Sequence, residues 1–447
     1  MYSPGIVILG GGESGVGAAV LAKKKGFDVF LSDKGRINEK YKNVLKNYGI
    51  KWEEEKHSEE KILPVKEIIK SPGIPDHVPI VKKAKEKGIQ VISEIEFAAR
   101  YTDAYKICIT GSNGKTTTTL LIYDILKRAG YHVGLAGNVG QSFAWQVAEN
   151  DFDYYVLEIS SFQLDGMFDF KAEIAVLLNI TPDHLDRYEN SFEKYTASKF
   201  RILQNQTESD HFIFYEDDPV IVQEIKKREI KSCLYPYTEK FIPREGAYIK
   251  NNNLLVIQIN KEVLEMEIKD LALVGKHNVY NSMASGIAAR LVDIRKEVIK
   301  QSLTEFENIE HRLEHVSYVK GIEFINDSKA TNVNSAWYAL ESVNKPIIWV
   351  MGGMDKGNDY TQLMDLVKSK VKAIVCLGKN NSRVKETFSS VIKDIVETES
   401  AEDAVKAAYL LGEKGDVVLL SPACASFDLF ENFEDRGRQF KKAVYDL

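Results

Sequence analysis

Ile107-Cys108-Ile109-Thr110-Gly111-Ser112-Asn113-Gly114-Lys115-Thr116-Thr117-Thr118-Thr119 starts as an apolar β-rich run and turns through small residues. It then enters, by way of Lys-Thr, a helical run from Leu120 to Ala129. Strand, glycine turn and helix N-terminus in that order direct several backbone N–H groups at one point, where the helix dipole adds partial positive charge. Lys115 has the reach for the outer phosphates of a nucleotide, and the Thr116 hydroxyl suits Mg²⁺. The strict phosphate-loop pattern has glycine where this chain has Ile109. The Gly114-Lys115-Thr116 core and its flanks remain. The alternative, a glycine turn with a solvated lysine, leaves the flanking strand and helix without a purpose.

Outward from that loop, the chain has 447 residues, 44% hydrophobic and 28% charged, enough for two to four domains with real cores. A net charge of -6 argues against a general nucleic-acid binder. The four cysteines, Cys108, Cys233, Cys376 and Cys424, form no CxxC pair and suit a reducing cytoplasm. No apolar run approaches the roughly 18 residues of a membrane span. No basic segment precedes Ile6-Val7-Ile8-Leu9, so no signal peptide is expected.

N-terminal to the loop, Ile6 to Leu9 reads as a strand. Gly10-Gly11-Gly12-Glu13-Ser14-Gly15-Val16-Gly17 follows, then a helix through Lys25 and a second strand ending at Asp33. This is a βαβ opening with G-x-G-x-x-G and a terminal acid, the pattern of a dinucleotide site. The same turn holds the diphosphate of any nucleotide, or simply packs helix on strand. Lys51 to Lys61 reads as a solvated charged run. Ile68 to Pro75 gives a strand and a rigid turn, and Ile89 to Ile92 another strand.

C-terminal to the loop, Tyr154 to Gln163 reads as a buried strand ending in Glu158, where a nucleotide-bound Mg²⁺ needs a ligand. Ala175 to Ile180 is a further strand, followed by Thr181-Pro182-Asp183-His184; a site role for His184 is expected at such a strand end. A helix from about Ser191 to Gln204 carries Lys199, which by itself reads as an ordinary helix lysine. Leu254–Ile259 and Val263–Ile268 read as an antiparallel pair. Asn278 and Asn281 share a helix face, to read an adenine edge or to cap the helix. Beyond Ile309, the stretches Asp327–Asn332, Gly352–Gly357 and Ser421–Asp428 each follow a strand. In a parallel sheet such loops share one edge.

Taken together, these motifs resemble the Mur ligase family along essentially the whole chain. Thr110–Thr117, Leu157–Gln163, Asp183-His184, the Lys199 helix and Gly275-Lys276-His277-Asn278 are general to that family. Asp327-Ser328-Lys329-Ala330-Thr331-Asn332 and Ser421-Pro422-Ala423-Cys424-Ala425-Ser426 are more specific, and point to D-glutamate as the incoming amino acid. The resemblance implies an α/β fold in three domains. Residues 1–94 would be a Rossmann-like domain for the UDP-substrate. Residues 95–308 would be a P-loop-type ATPase domain with a mostly parallel sheet, and 309–447 a Rossmann-like amino-acid-binding domain.

It also implies an ATP-dependent amide-bond ligase that adds D-glutamate to UDP-N-acetylmuramoyl-L-alanine through an acyl phosphate, in peptidoglycan precursor synthesis. ATP would meet Gly111, Ser112, Asn113, Gly114, Lys115, Thr116, Thr117, Asn278, Asn281, Arg312 and Asp327. The UDP-substrate would meet Ser14, Gly15, Asp33, Lys34, Ser71, Asn138, Ser160, Gln163 and His184. D-glutamate would meet Lys329, Thr331, Lys356, Ser426 and Phe433. Thr116, Glu158, His184 and a carbamylated Lys199 would serve two Mg²⁺ sites, which Mn²⁺ also suits; Lys115, His184 and Lys199 would act in catalysis. Carbamylation turns a cation into the oxygen ligand a hard metal needs. The resemblance further implies a cytoplasmic monomer acting on small molecules, without nucleic acid or membrane. Competing readings are a sister ligase or folylpolyglutamate synthase, a nicotinamide dehydrogenase, and a non-catalytic nucleotide-binding regulator.

Overall fold

The computed structural model describes residues 5–273, 275–306, 310–355 and 357–447. The expected start of the third domain near Ile309 and the candidate ligand Lys356 lie outside them. Among the described residues the strands form three sheets. The chain divides into two compact units, Met1–Leu271 with Asn278–Glu305, and Ala272–His277 with Phe306–Leu447.

The first unit holds two sheets. One is wholly parallel, in the order Lys51–Glu53, Val29–Ser32, Ile6–Leu9, Glu67–Lys70, Gln90–Ser93. The near-continuous apolar runs of its inner strands are what a sheet buried on both faces needs. Its edge strand falls in the charged run read as surface. Glu53 there is buried, and accepts from Ser32 Oγ (2.8 Å) and Ser58 N (2.7 Å). Charge composition concealed a strand whose acid is satisfied inside.

The second sheet has nine strands. Its order is Glu262–Glu267, Leu254–Ile259, Gly246–Lys250, Cys233–Thr238, His211–Tyr215, Ile174–Leu177, Tyr105–Thr110, Tyr154–Glu158, Val133–Gly137. It is parallel except at the two antiparallel pairings that join Gly246–Lys250, Leu254–Ile259 and Glu262–Glu267. Tyr105–Thr110 lies centrally, with Ile109 opposite both Glu158 and Val176. Thr110, Glu158 and Leu177 therefore end at one edge, where α/β ligands bind.

One apolar core runs through both sheets of this unit, from Ile6 to Ile221. The helices Glu13–Lys24 and Phe143–Glu149 meet at Gly17, where a Cβ would fall 2.2 Å from Ser142 Oγ. The glycine is required there by close approach.

The second unit is a six-stranded sheet, Glu314–Val319, Ile322–Asn326, Val417–Leu420, Ile347–Met351, Val371–Leu377, Asp394–Thr398, antiparallel only at its first pair. Apolar clusters cover both faces. Among the described residues no helix is long and apolar enough to cross a membrane.

Candidate active site

The phosphate loop is sewn to the next strand's end. Ser112 N donates to Asn179 O (2.9 Å), Asn113 N to Asn179 Oδ1 (2.8 Å), and Asn179 Nδ2 back to Asn113 O (3.0 Å). Ser112 Oγ meets Thr181 O (2.8 Å) and Tyr195 OH (3.0 Å). Gly114 precedes the helix Lys115–Arg128 with φ +82, a left-handed turn suited to glycine. The first bond within that helix runs from Thr118 N to Gly114 O (3.0 Å). The amides of Lys115, Thr116 and Thr117 thus face out of the helix N-terminus, as an anion requires. Lys115 Nζ folds back onto the carbonyls of Gly111 and Ser112, at 2.8 Å each. Asn281 closes the loop's other side: a Cβ on Gly114 would fall 2.5 Å from its Oδ1. Asn278 and Asn281 lie within the helix Lys276–Leu291, not at its cap, and Asn281 Nδ2 donates to Asn278 Oδ1 (3.1 Å). That position excludes the capping role the sequence left open for them.

Glu158 is almost fully buried, and Asn138 Nδ2 holds its Oε1 at 2.8 Å. Ser160 and Gln163 form a capping box on the turn Ser161–Leu164, with Gln163 Oε1 accepting from Ser160 N (2.8 Å) and Oγ (2.9 Å). His184 sits at φ +51 with its side chain 42% exposed, 3.7 Å from Asp183 Oδ1. Its ring meets Phe162 edge-on at 5.3 Å.

Lys199 departs most from its sequence reading. It is 2% exposed, with Nζ 4.8 Å over the Tyr195 ring. Burial, then the nearby Lys115 charge, hold its ammonium well below the usual lysine range, against Asp183, Asp165 and Glu158. A buried amine without its proton is a nucleophile, the form that carbamylation requires.

At the first sheet's edge, Ser71 Oγ is buried without a hydrogen-bond partner among the described residues. It lies against the glycine turn, where a Cβ on Gly10 would come within 2.4 Å and one on Gly15 within 3.1 Å. Ser14 lies in the first turn of the helix Glu13–Lys24. Asp33 accepts from Gly11 N (2.5 Å) and Gly35 N (2.7 Å), so it braces the turn. Lys34 is exposed beside it.

In the second unit, three loops meet. Ala423 N bonds Ala330 O (2.9 Å), Gly352 N bonds Pro422 O (2.9 Å) and Met354 N bonds Ala425 O (2.8 Å). Arg436, fully buried, ties two of them together, donating to Ser328 O (2.8 Å), Ser328 Oγ (3.0 Å) and Cys424 O (3.2 Å). Asp327 accepts from Ser421 Oγ (2.9 Å) and Leu313 N (3.3 Å), and burial pushes its carboxyl up to about 7. Lys329 Nζ lies 5.0 Å over the Phe433 ring. Ser426 is buried, Arg312 half-buried and Thr331 exposed. Asn179, Tyr195 and Arg436 were missed from sequence. Asn179 follows a buried strand directly, a position that could have flagged it; Tyr195 and Arg436 carry no local signal.

Three family models match in order: "Mur ligase MurD-like, N-terminal domain" over residues 4–93, "Mur ligase middle domain" over 109–289, and "Mur ligase, glutamate ligase domain" over 311–424. The UDP-N-acetylmuramoylalanine--D-glutamate ligase of Bacteroides fragilis is 56% identical over 445 residues, 99% of either chain. The chain belongs to the Mur ligase family. The ligase of the same name from Christiangramia forsetii is 54% identical over 442 residues, again 99% of either chain. The Mur ligase fold is shared with the UDP-N-acetylmuramate-alanine ligase MurC of Thermotoga maritima, at TM-score 0.64 and 17% identity over 99% of both chains. Within this family, the MurF ligase of Thermotoga maritima was solved in complex with ADP; it has TM-score 0.60 and 16% identity, covering 85% of this chain and 96% of its own.

Proposed function

We infer that the chain is an ATP-dependent ligase that joins D-glutamate to UDP-N-acetylmuramoyl-L-alanine in peptidoglycan precursor synthesis. The observation that carries this reading is identity from end to end, 56% over 445 residues, with a relative whose name states that reaction. Residues 1–94 bind the UDP-substrate, 95–308 bind ATP, and 309–447 bind the amino acid. The enzyme acts as a cytoplasmic monomer on these small molecules, with no nucleic acid or membrane partner.

The orphaned Ser71 hydroxyl at the glycine turn suits a diphosphate oxygen, with Ser14, Gly15, Asp33 and Lys34 around the uridine end. Asn138, Ser160, Gln163 and His184 line the path to the alanyl carboxylate. Gly111 to Thr117 cradle the phosphates, with Asn278 and Asn281 toward the adenine; Arg312 and Asp327 are assigned to the nucleotide. Lys329, Thr331, Lys356, Ser426 and Phe433 receive D-glutamate, whose carboxylates suit lysines.

Among the described residues no three His, Cys, Asp or Glu gather closely enough to hold a metal alone. Mg²⁺ needs fewer, since it takes one or two protein oxygens and completes its shell with phosphate and water. The buried Thr116 hydroxyl and the Asn138-braced Glu158 carboxylate fit that donor set. His184 and a carbamate on Lys199 supply a second, which Mn²⁺ also suits. Mg²⁺ held there would offset charge on the transferring phosphoryl group.

The alanyl carboxylate attacks the γ-phosphorus, the bond to ADP breaks, and an acyl phosphate forms. The Lys115 ammonium leaves the loop carbonyls for the phosphoryl oxygens, where charge accumulates. The D-glutamate amine then attacks the acyl carbon, and inorganic phosphate leaves the tetrahedral intermediate as the amide forms. The test is phosphate release from ATP with UDP-N-acetylmuramoyl-L-alanine, with D-glutamate, L-alanine and meso-diaminopimelate supplied separately. Release with D-glutamate alone is expected. Release with another amino acid reassigns the chain to a sister reaction.

A further inference from the structure

The turn after Glu67–Lys70 is held by cations from two directions. Lys70, mostly buried, donates to Ile74 O (2.7 Å) from within the first sheet. Arg187 reaches in from the central sheet's His184 segment, with Nη2 donating to Pro72 O (3.1 Å) and Nη1 to Gly73 O (3.4 Å). Three successive carbonyls beyond Ser71 thus each accept from a charged side chain. The Arg187 guanidinium also lies 4.3 Å over the face of Phe162, whose edge meets His184. Tyr188 stacks on the same ring at 6.1 Å, and on another side Phe162 lines a cavity of about 370 Å³ with Lys70, Asp165 and Phe168. Part of the ring's setting therefore comes from Arg187 and its neighbours and not from core packing alone.

We propose that Arg187 is a positioning residue that sets the Ser71 turn against His184 across the face of Phe162. The diphosphate end and the acyl end of the UDP-substrate are thereby held in register. The proposal rests on the assignment of Ser71 and His184 to that substrate. The fork of Arg187 suits two adjacent carbonyls, and its plane suits the aromatic face; a lysine offers neither. Without Arg187, Lys70 still anchors Ile74 O while the Pro72 and Gly73 carbonyls are released, so the turn loosens locally and the expected loss is of placement, not of fold.

The test compares full-length wild type, Arg187→Ala and Arg187→Lys, varying the UDP-substrate and ATP in turn. Arg187→Ala raises KM for the UDP-substrate about tenfold or more and leaves KM for ATP within about twofold, with Arg187→Lys intermediate. In hydrogen exchange on the proteins alone, the Ile74 amide, bonded to Ser71 O at 3.1 Å, loses protection in Arg187→Ala while the helix Lys115–Arg128 keeps it. An unchanged KM for the UDP-substrate, or equal rises for both substrates, overturns the proposal. A wild type inert with D-glutamate refutes the reaction instead, and Ile74 exchange then decides the clamp by itself.

Discussion

Burial and the neighbouring Lys115 both disfavour a charge on Lys199, while three carboxylates stand near enough to oppose them. If the amine adds CO₂, forming an N–C bond and releasing a proton, the product is an anion that the Lys115 charge favours and that can ligate a cation, which would offset its burial and its repulsion from the three carboxylates. Lys199→Ala is therefore expected to lower D-glutamate-dependent phosphate release by about a hundredfold or more, as for loss of a preorganised charge at a phosphoryl site. A short carboxylic acid restores part of it. Wild-type activity falls in carbonate-free buffer and returns with bicarbonate, while the Ala variant ignores bicarbonate. A wild type indifferent to bicarbonate excludes the carbamate. Lys115 and Thr116 were legible in sequence because their chemistry is local: a glycine turn between strand and helix specifies where they point. The state of Lys199 was not, because its burial comes from packing in the folded unit and the charge beside it from a residue 84 positions earlier.

Between elements, the helix Phe143–Glu149 is capped from outside as well as by Ser142. Glu94 Oε1 accepts from Ser142 Oγ (2.7 Å) and Ala144 N (2.6 Å), and Glu13 Oε1 accepts from Ser142 N (3.0 Å). Burial pushes the Glu94 carboxyl from 4.5 up to about 7, and Glu13 adds like charge, against those donors. Between these values the folded chain keeps a proton that the unfolded chain has released, so stability falls as pH rises through that window. Glu94→Gln keeps the acceptor and loses the titration. Urea unfolding should show the variant gaining on wild type by at most about 3 kcal/mol from about pH 5 to about pH 8. A constant difference across that range would place an ordinary carboxylate there. Elements of this kind were legible where apolar runs ended in glycine turns, as at Ile6–Leu9 and Ile347–Met351. Lys51–Glu53 was hidden by its charges, and the contacts among Glu13, Glu94 and Ser142 span up to 129 residues, beyond any local pattern.

For the whole molecule, family motifs marked three segments, while the cores mark two units. A contiguous apolar cluster from Ile6 to Ile221 crosses the sequence boundary near residue 94, and includes Ile95, Phe97 and Ala98 from the connecting helix. Hydrophobic burial is non-directional and follows contiguity in space, so this cluster should melt as one. The second unit has its own clusters on both faces of its sheet. Calorimetry of the ligand-free protein should then resolve two transitions. Phe97 is fully buried, with Tyr101 edge-on at 5.2 Å and Phe27 at 6.3 Å. Trp349 is fully buried in the second unit and donates to Ser421 O (2.8 Å). Phe97→Ala should lower only one transition and Trp349→Ala only the other, each by about 3–5 kcal/mol as for other aromatic truncations in packed cores. A third transition released by Phe97→Ala would show that the first sheet folds by itself, and that the shared core is an interface between two domains.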